Sequence, residues 1–217
     1  MSADSGFPIS FDIQKRLCLV IGGEDEAADK AQRLADAEGL VVVINPTLNT
    51  TLRKMTSSGK VIHRGRRFRS SDTHDVCLVC NTLPDDSDLA TSLYELSKEQ
   101  KFLVWSIDQP ELSTFMMPAV VNRGHLRVAI STSQASPALA GTLRRQTEHI
   151  FDEEFVQFLD WLGTQRQELR ENEPNSVRRQ ERLKELVQGF QLIGKIEYPF
   201  SWIAEKQQQT TIREKES

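Results

Sequence analysis

The feature that most constrains this chain is a glycine pair that interrupts an apolar run near its start. Leu17–Ile21 is uniformly apolar, Gly22-Gly23 follows, and a helical pattern then extends to about Ala37. A second apolar run, Leu40–Ile44, completes a strand, turn, helix and strand. In dinucleotide-binding α/β domains the pyrophosphate lies at such a glycine turn, against the start of the helix. The pattern therefore predicts a nucleotide-binding domain.

The same alternation continues along the chain. Further strands are predicted at residues 61–62, 76–80 and 102–107, with helices at 48–60 and 85–98 between them. Beyond Pro110 two β-like runs, 116–121 and 126–130, flank a turn, and Ser136-Pro137 then begins a helix that extends to about Glu148. Apolar stripes predict two more helices after residue 150.

These patterns predict an α/β fold: a Rossmann-like, mostly parallel sheet, then a small β/α dimerisation element and a C-terminal helical region. We expect a dinucleotide-binding domain at 1–112, a dimerisation segment at 113–149 and a helical domain at 150–204. The polar, glutamine-rich stretch 205–217 is expected to be disordered.

Composition narrows the class of protein. The chain has 217 residues, 38% of them hydrophobic, and a net charge of −4. The negative charge argues against a nucleic-acid partner, and no apolar run reaches the roughly 20 residues that a membrane helix needs. The first residues lack the basic and apolar regions of a secretion signal, so we expect a cytoplasmic protein.

Three cysteines lie in predicted strands: Cys18, Cys77 and Cys80. Cys77 and Cys80 form a CxxC, but side chains three apart in a regular strand point to opposite faces. We therefore interpret all three as buried thiols rather than a metal or redox pair. The four histidines are scattered, and we predict no metal site.

Several short blocks occur in an order that is typical of one family. They are Phe7-Pro8-Ile9-Ser10, Gly22-Gly23 with Ala27 and Lys30, Ile44-Asn45-Pro46, Ile107-Asp108 with Pro110-Glu111-Leu112, Phe115-Met116-Met117-Pro118-Ala119, Arg123-Gly124, Ala129-Ile130-Ser131-Thr132, and Ser136-Pro137 with Leu139-Ala140. Together they resemble the precorrin-2 dehydrogenase / sirohydrochlorin ferrochelatase family, which includes the N-terminal module of siroheme synthases.

The resemblance implies NAD-dependent oxidation of the tetrapyrrole precorrin-2 to sirohydrochlorin, with iron insertion as a further activity, in a homodimer. It implies one catalytic residue, Asp108 at the end of the fifth strand, where a carboxylate can take a proton. The implied cofactor residues are Gly22, Gly23, Asp25, Glu26, Pro46, Thr47 and Thr82. The implied substrate residues are Ser131, Thr132, Ser136, His125 and Arg123.

The chain departs from the family pattern at the same predicted crevice. Family members usually have a third glycine, a valine and an arginine where this chain has Glu24, Glu26 and Asp29, and two glycines where Ser133-Gln134-Ala135 stands. At a separation of about 4 Å, the repulsion between a carboxylate and a phosphate is about 1 kcal/mol in water and about 4 kcal/mol at an effective dielectric of 20. That range corresponds to a roughly fivefold to thousandfold loss of affinity. Without a ligand, the same acidic residues favour the helix dipole.

Three functions follow from these observations. The leading hypothesis is a precorrin-2 dehydrogenase that binds NAD. The second is a ferrochelatase alone, because chelation needs no dinucleotide and iron is then only a substrate. The third is a non-catalytic tetrapyrrole-binding protein on a degraded scaffold.

Overall fold

The computed structural model describes residues 6–200 and 202–203, and its centre is a five-stranded parallel sheet. The strands are β1 (Leu17–Ile21), β2 (Leu40–Ile44), β3 (Ile62–Arg64), β4 (Val76–Asn81) and β5 (Leu103–Ser106). Their order is β3-β2-β1-β4-β5, so the direction of winding reverses between β1 and β4. In open parallel sheets ligands bind outside the carboxyl ends of the strands at such a reversal. The predicted Rossmann-like fold is confirmed.

Helices cover both faces of this sheet. They are α1 (Asp25–Asp36), α2 (Thr50–Ser57) and α3 (Ser87–Gln100). One core layer contains Ala27 and Ala31 of α1 with Leu52 of α2, and a second layer contains Leu93 of α3. The strands are buried on both sides, which explains their nearly continuous valine, leucine and isoleucine sequences.

Side-chain caps set where the helices begin. The Asn49 side chain accepts a hydrogen bond from the Leu52 backbone at 2.9 Å, so α2 begins at Thr50 and is shorter than the predicted 48–60. Asp86 caps α3 in the same way, at 3.0 Å from the Leu89 nitrogen.

The predicted antiparallel element is present after the sheet. It consists of β6 (Ala119–Arg123) and β7 (Leu126–Ile130), joined by Gly124-His125, and is followed by α4 (Pro137–Ile150). Arg123 lies in β6 rather than in the turn, because Gly124 has a φ of 52° and makes the reversal within two residues. Ser136 caps α4 as predicted, 3.2 Å from the Leu139 nitrogen.

The chain divides into two compact units, one ending at Asp152 and one beginning at Glu153. The second unit contains α5 (Glu153–Asn172) and α6 (Ser176–Glu185). Phe158 of α5 stacks on Phe190 with ring centroids 5.8 Å apart, but no residue of α5 is fully buried. No helix in the described ranges is long and apolar enough to cross a membrane. The tail predicted at 205–217 lies outside the described residues.

The cysteines are buried and free, as interpreted, but the prediction about their faces is wrong. The pairing of β1 with β4 shifts register between Leu17 and Cys18, which places an extra β4 residue in the ladder. Cys77 and Cys80 therefore both belong to the core layer under α1. The Sγ atoms of Cys18 and Cys77 are 3.7 Å apart. Burial raises the pKa of the Cys80 thiol to about 12 and also raises that of Cys18, which keeps both thiols protonated.

Asp72 anchors the crossover from β3 back to β4. Its carboxylate, 3% exposed, accepts hydrogen bonds from Arg64 at 2.7 Å, from Arg66 at 2.5 and 2.7 Å, and from the Arg69 backbone nitrogen at 2.9 Å. The Arg66 guanidinium is the main reason that the pKa of Asp72 falls to about 2.

This lowered pKa predicts an acid-sensitive contribution to stability. A depressed folded pKa stabilises the protein above the ordinary value of 3.8, and the contribution is lost as the pH falls towards 2. Asp72→Asn is expected to reduce the free energy of unfolding by about 2 kcal/mol at pH 7 and much less at pH 2. Denaturation at several pH values measures this, with Asp36→Asn at an exposed ion pair as the control. Equal losses in both variants at pH 7 would contradict the account.

Candidate functional site

The turn after β1 is built by contacts that only glycine permits. Gly22 has a φ of 133°, and a Cβ there would overlap the Thr82 hydroxyl. A Cβ on Gly23 would overlap the Thr47 carbonyl oxygen and lie 2.5 Å from Asn45 Nδ2. The glycine pair thus packs against the loops that follow β2 and β4, independently of any ligand.

Hydrogen bonds hold these three loops together. Thr82 donates through its backbone nitrogen and its hydroxyl to the Ile21 carbonyl, both at 2.9 Å. On the other side, the Asn49 nitrogen donates to the Gly23 carbonyl at 2.8 Å. Four of the predicted cofactor residues, Gly22, Gly23, Thr47 and Thr82, therefore lie together at the carboxyl edge of the sheet. Pro46 lies in the same loop and is exposed.

The start of α1 retains an open anion cradle despite the altered sequence. Glu24 has φ −102° and ψ −166°, an extended conformation that any residue adopts. Its carbonyl accepts the first helical hydrogen bond, from Ala28 at 3.0 Å, and no side chain caps the helix. Among the described residues no side chain uses the first-turn N–H groups, which is the arrangement that binds phosphates at helix starts.

The carboxylates around this cradle differ in how they are paired. Asp25 accepts a hydrogen bond from Asn49 at 2.8 Å, and Glu26 forms an ion pair with Lys30 at 2.5 Å. Glu24 is exposed and forms no hydrogen bond or ion pair with another described side chain. Glu24 is therefore the least compensated negative charge at the cradle.

Lys30 is the centre of a small charge cluster on α1. It is 7% exposed, pairs with Glu26 and with Asp29 at 3.0 Å, and lies 4.9 Å from the centre of the Trp105 ring. Arg33 completes the cluster at 3.9 Å from Asp29. Two carboxylates and two cations cancel, so this cluster as a whole adds little net field at the cradle.

Asp108 lies one residue beyond the Ile107 that ends the predicted fifth strand. It is exposed and has a left-handed φ of 54°. The Ile107 nitrogen donates to the Asn81 carbonyl at 2.9 Å, which ties this turn to the end of β4. Since Thr82 of the β4 loop contacts Gly22, the catalytic candidate and the glycine turn occupy the same edge, separated by β4.

The predicted substrate residues lie at two places: Ser131, Thr132 and Ser136 are in the loop between β7 and α4, whereas Arg123 and His125 are at the opposite end of the β6–β7 hairpin. The Thr132 hydroxyl donates to the Ser136 carbonyl at 3.1 Å, and the Ser131 hydroxyl accepts from the Ser133 nitrogen at 3.2 Å. Arg123 is half-buried, 3.8 Å from the Glu148 carboxylate, and His125 is exposed. Among the described residues no hydrogen bond joins residues 131–136 to the glycine turn.

The 131–136 loop keeps a conformation typical of glycine without containing glycine. Ser133 and Gln134 have φ values of 48° and 70°. A left-handed conformation costs a residue with a side chain on the order of 1 kcal/mol. The loop thus adopts a left-handed backbone at two residues with side chains, at an energetic cost.

The sequence did not predict two residues whose hydrogen bonds support the loops at the carboxyl edge of the sheet, Asn45 and Ser113. Asn45 donates from its amide to the Thr47 carbonyl at 2.7 Å and so positions the atom against which Gly23 packs. Ser113 hydrogen-bonds on both sides of Asp108. For Asn45 the available signal was a polar residue immediately after an apolar strand, whereas Ser113, seven residues after the end of β5, has no such signal.

Comparison with known proteins defines the family. A family model described as "Putative NAD(P)-binding" matches residues 9–119, about half of the chain. The chain belongs to this NAD(P)-binding family. It is 34% identical to the siroheme synthase of Thioalkalivibrio sulfidiphilus (strain HL-EbGR7) over 142 residues, 65% of this chain and 29% of that protein. It is 31% identical to the siroheme synthase of Ruthia magnifica subsp. Calyptogena magnifica over 168 residues, 77% of this chain and 35% of that protein.

A solved structure extends the similarity to most of the chain. The structure of SirC, a precorrin-2 dehydrogenase, matches with a TM-score of 0.70 and 21% identity over 85% of this chain and 90% of that one. At this identity the match shows the fold. The chain spans about a third of the length of the siroheme synthases it matches. The resemblance inferred from the ordered sequence blocks is confirmed at the level of the family.

The residues present fit the dinucleotide of this NAD(P)-binding family, with one local obstacle. The glycine turn, the open first-turn N–H groups and the position between β1 and β4 are the elements such a cofactor needs. The Glu24 side chain opposes a pyrophosphate by charge and bulk, while its backbone conformation does not. The obstacle is therefore confined to one side chain.

Proposed function

We propose that this protein is a precorrin-2 dehydrogenase that oxidises the tetrapyrrole to sirohydrochlorin with NAD. The similarity to siroheme synthases and to SirC supports the assignment. The observation that carries it is the exposed Asp108, which lies in a hydrogen-bonded turn at the same edge of the sheet as the glycine turn. A carboxylate there can accept a proton released from the macrocycle.

Each group of residues has a separate task in this proposal. Gly22, Gly23, Pro46, Thr47 and Thr82 shape the dinucleotide site, and Asp25 and Glu26 contribute backbone N–H groups rather than their carboxylates. When bound, NAD accepts the hydride. Ser131, Thr132, Ser136, His125 and Arg123 supply donors for the carboxylates of the tetrapyrrole. We further propose that the enzyme acts as a cytoplasmic homodimer.

Anaerobic incubation of the protein with precorrin-2 tests this function, with sirohydrochlorin followed by its absorbance. Product that appears only when NAD is added supports the dehydrogenase. Replacing NAD by NADP in a parallel reaction identifies the dinucleotide that the protein uses.

One observation favours a second candidate, a sirohydrochlorin ferrochelatase. Glu24 hinders a dinucleotide, whereas metal insertion needs none. Asp108 then accepts a pyrrole proton as ferrous iron, the substrate, enters the ring. Sirohaem formation from supplied sirohydrochlorin and ferrous iron, without NAD, tests this activity. A protein inactive in both assays is a tetrapyrrole-binding protein at most.

Glu24 provides a direct test of the cofactor site. Removing its charge and side chain with Glu24→Gly is expected to tighten NAD binding by about fivefold to a thousandfold. Glu24→Gln separates the two causes because it removes only the charge. Isothermal titration calorimetry measures the dissociation constants.

Glu95→Gln is the matched control, since Glu95 is an exposed carboxylate on a different helix, α3, where it pairs with Lys98. It changes the net charge equally and is expected to leave NAD affinity unchanged. If Glu24→Gly has the same affinity as this control, Glu24 is not an obstacle.

A further inference from the structure

The turn that carries Asp108 is held by hydrogen bonds on both sides of that residue. Asp108 itself is exposed and left-handed, yet the residues on either side of it are tied down. Before it, the Ile107 nitrogen donates to the Asn81 carbonyl at 2.9 Å. After it, the Gln109 side-chain amide donates to the Pro84 carbonyl at 3.0 Å. These contacts fix both ends of the turn to the β4–α3 connection.

Ser113 closes the turn from below. Its hydroxyl accepts a hydrogen bond from the Ser106 nitrogen at 3.0 Å and donates to the Gln109 carbonyl at 3.0 Å. One buried hydroxyl, on a residue that is 2% exposed, thus joins the last residue of β5 to the residue after Asp108. The left-handed conformation of Asp108 lies within the loop that these two hydrogen bonds close.

Several features around this turn lower the stability of the protein. Within the described ranges, the buried side-chain polar atoms without a hydrogen-bond partner are Asn81 Nδ2, Ser106 Oγ and Gln109 Oε1, all beside this turn. Unpaired buried polar atoms and left-handed non-glycine residues each reduce stability. Such costs collected around one turn are typical of a geometry retained for function rather than for stability.

We propose that Ser113 is a positioning residue that holds the Asp108 carboxylate at the angle needed for proton transfer. This inference rests on the proposed function, because it requires that Asp108 takes part in the reaction. Fixing a proton acceptor in advance removes the need to order it during each turnover. Without the Ser113 hydroxyl, the turn loses its side-chain link across the base and keeps only the longer backbone hydrogen bond from the Gln109 nitrogen to the Ser106 carbonyl, at 3.3 Å, while Asp108 keeps its chemistry.

The test compares two neighbouring hydroxyls that bind the same strand. Ser113→Ala removes the side-chain link across the turn. Thr114→Val removes a hydroxyl that accepts a hydrogen bond from the Val104 nitrogen at 2.9 Å and donates to the Val104 carbonyl at 3.4 Å. Val104 lies two residues before Ser106 on β5 and so farther from Asp108. Ser113→Ala is expected to lower kcat for precorrin-2 oxidation by about 10- to 100-fold with KM little changed. Thr114→Val is expected to lose comparable stability with kcat within about twofold of wild type.

A double-mutant cycle with Asp108→Asn distinguishes positioning from a general structural role. If Ser113 acts through Asp108, adding Ser113→Ala to Asp108→Asn causes no further loss of kcat. Ser113→Thr, which keeps the hydroxyl, is expected to restore most of the activity. If Ser113→Ala does not fold, Gln109→Ala takes its place in the cycle, because it releases the Pro84 contact from the same turn.

The outcomes separate this inference from the proposed function. If Asp108→Asn reduces kcat but Ser113→Ala matches Thr114→Val, the positioning role is wrong and the catalytic role of Asp108 stands. If the two losses multiply in the double variant, Ser113 does not act through Asp108. If Asp108→Asn retains full activity, the catalytic role of Asp108 and the positioning role of Ser113 both fail while the dehydrogenase function stands. If the wild-type protein is inactive, the proposed function fails with them.

Discussion

Asp108→Asn is expected to lower kcat for precorrin-2 oxidation by at least about 100-fold while the protein remains folded. Asparagine has nearly the same shape and tolerates the left-handed conformation that Asp108 adopts at φ 54°, but it cannot accept a proton from the substrate. General acid–base groups contribute about 100- to 10,000-fold to rate. Steady-state kinetics and circular dichroism on the same preparation give both quantities.

Asp75→Asn is the matched control for this variant. Asp75 is exposed and has a φ of 56°, but it precedes β4 and so lies at the amino edge of the sheet, away from the ligand crevice. It carries the same side chain in nearly the same backbone conformation. Full activity in Asp75→Asn and loss in Asp108→Asn assign the effect to position. Activity retained in both variants would remove Asp108 from the mechanism.

Gly23→Ala is expected to reduce the free energy of unfolding by about 3 kcal/mol or more. The added Cβ would overlap the Thr47 carbonyl oxygen, which is held by the Asn45 amide at 2.7 Å and has little freedom to move. Relief requires the loop after β2 to shift away from the glycine turn, so the cofactor site is lost together with stability. Urea denaturation monitored by tryptophan fluorescence measures the change.

Gly65→Ala is the corresponding control, because a Cβ there would meet the His63 imidazole at ordinary contact distances, 3.5 Å from Cε1 and 3.9 Å from Nε2. We expect its stability to be within about 1 kcal/mol of wild type. If Gly23→Ala is no less stable than Gly65→Ala, the close packing at the glycine turn is not a constraint on the fold.

The fold could be predicted because its signals are local. Runs such as Leu40–Ile44, the helix start at Ser136 and the glycine pair each specify an element from a few neighbouring residues. Their alternation then leaves few arrangements other than a parallel sheet covered on both faces. Helix boundaries shifted by a few residues because caps, rather than periodicity, decide where a helix begins.

The details of the site could not be predicted in the same way because they depend on contacts between distant residues. The register shift that brings Cys77 beside Cys18 arises from the pairing of β1 with β4 and breaks the period of two on which the prediction relied. The left-handed conformation of Asp108 is likewise fixed by Ser113 and by residues of the β4–α3 connection. Neither pattern is visible in the neighbouring sequence.

At Glu24 the sequence indicates the charge at the start of α1, but it does not indicate the backbone conformation or the pairing of the neighbouring carboxylates. Glu24 stands where family members usually have glycine, and so adds a negative charge at the cradle. The structure adds that the backbone there is unstrained, and that the neighbouring Glu26 is neutralised by Lys30. The sequence departures therefore have unequal consequences, and the fold of the cradle survives them.

The most direct test of the central claim is the stoichiometry of a single turnover with excess protein. Anaerobic precorrin-2 and NAD are mixed with the folded protein, and NADH and sirohydrochlorin are measured together by their separate absorbances. One NADH is expected for each sirohydrochlorin, with both products absent when NAD is omitted and both formed more slowly by Asp108→Asn. Sirohydrochlorin formed without NADH, or no product from folded protein, would contradict it.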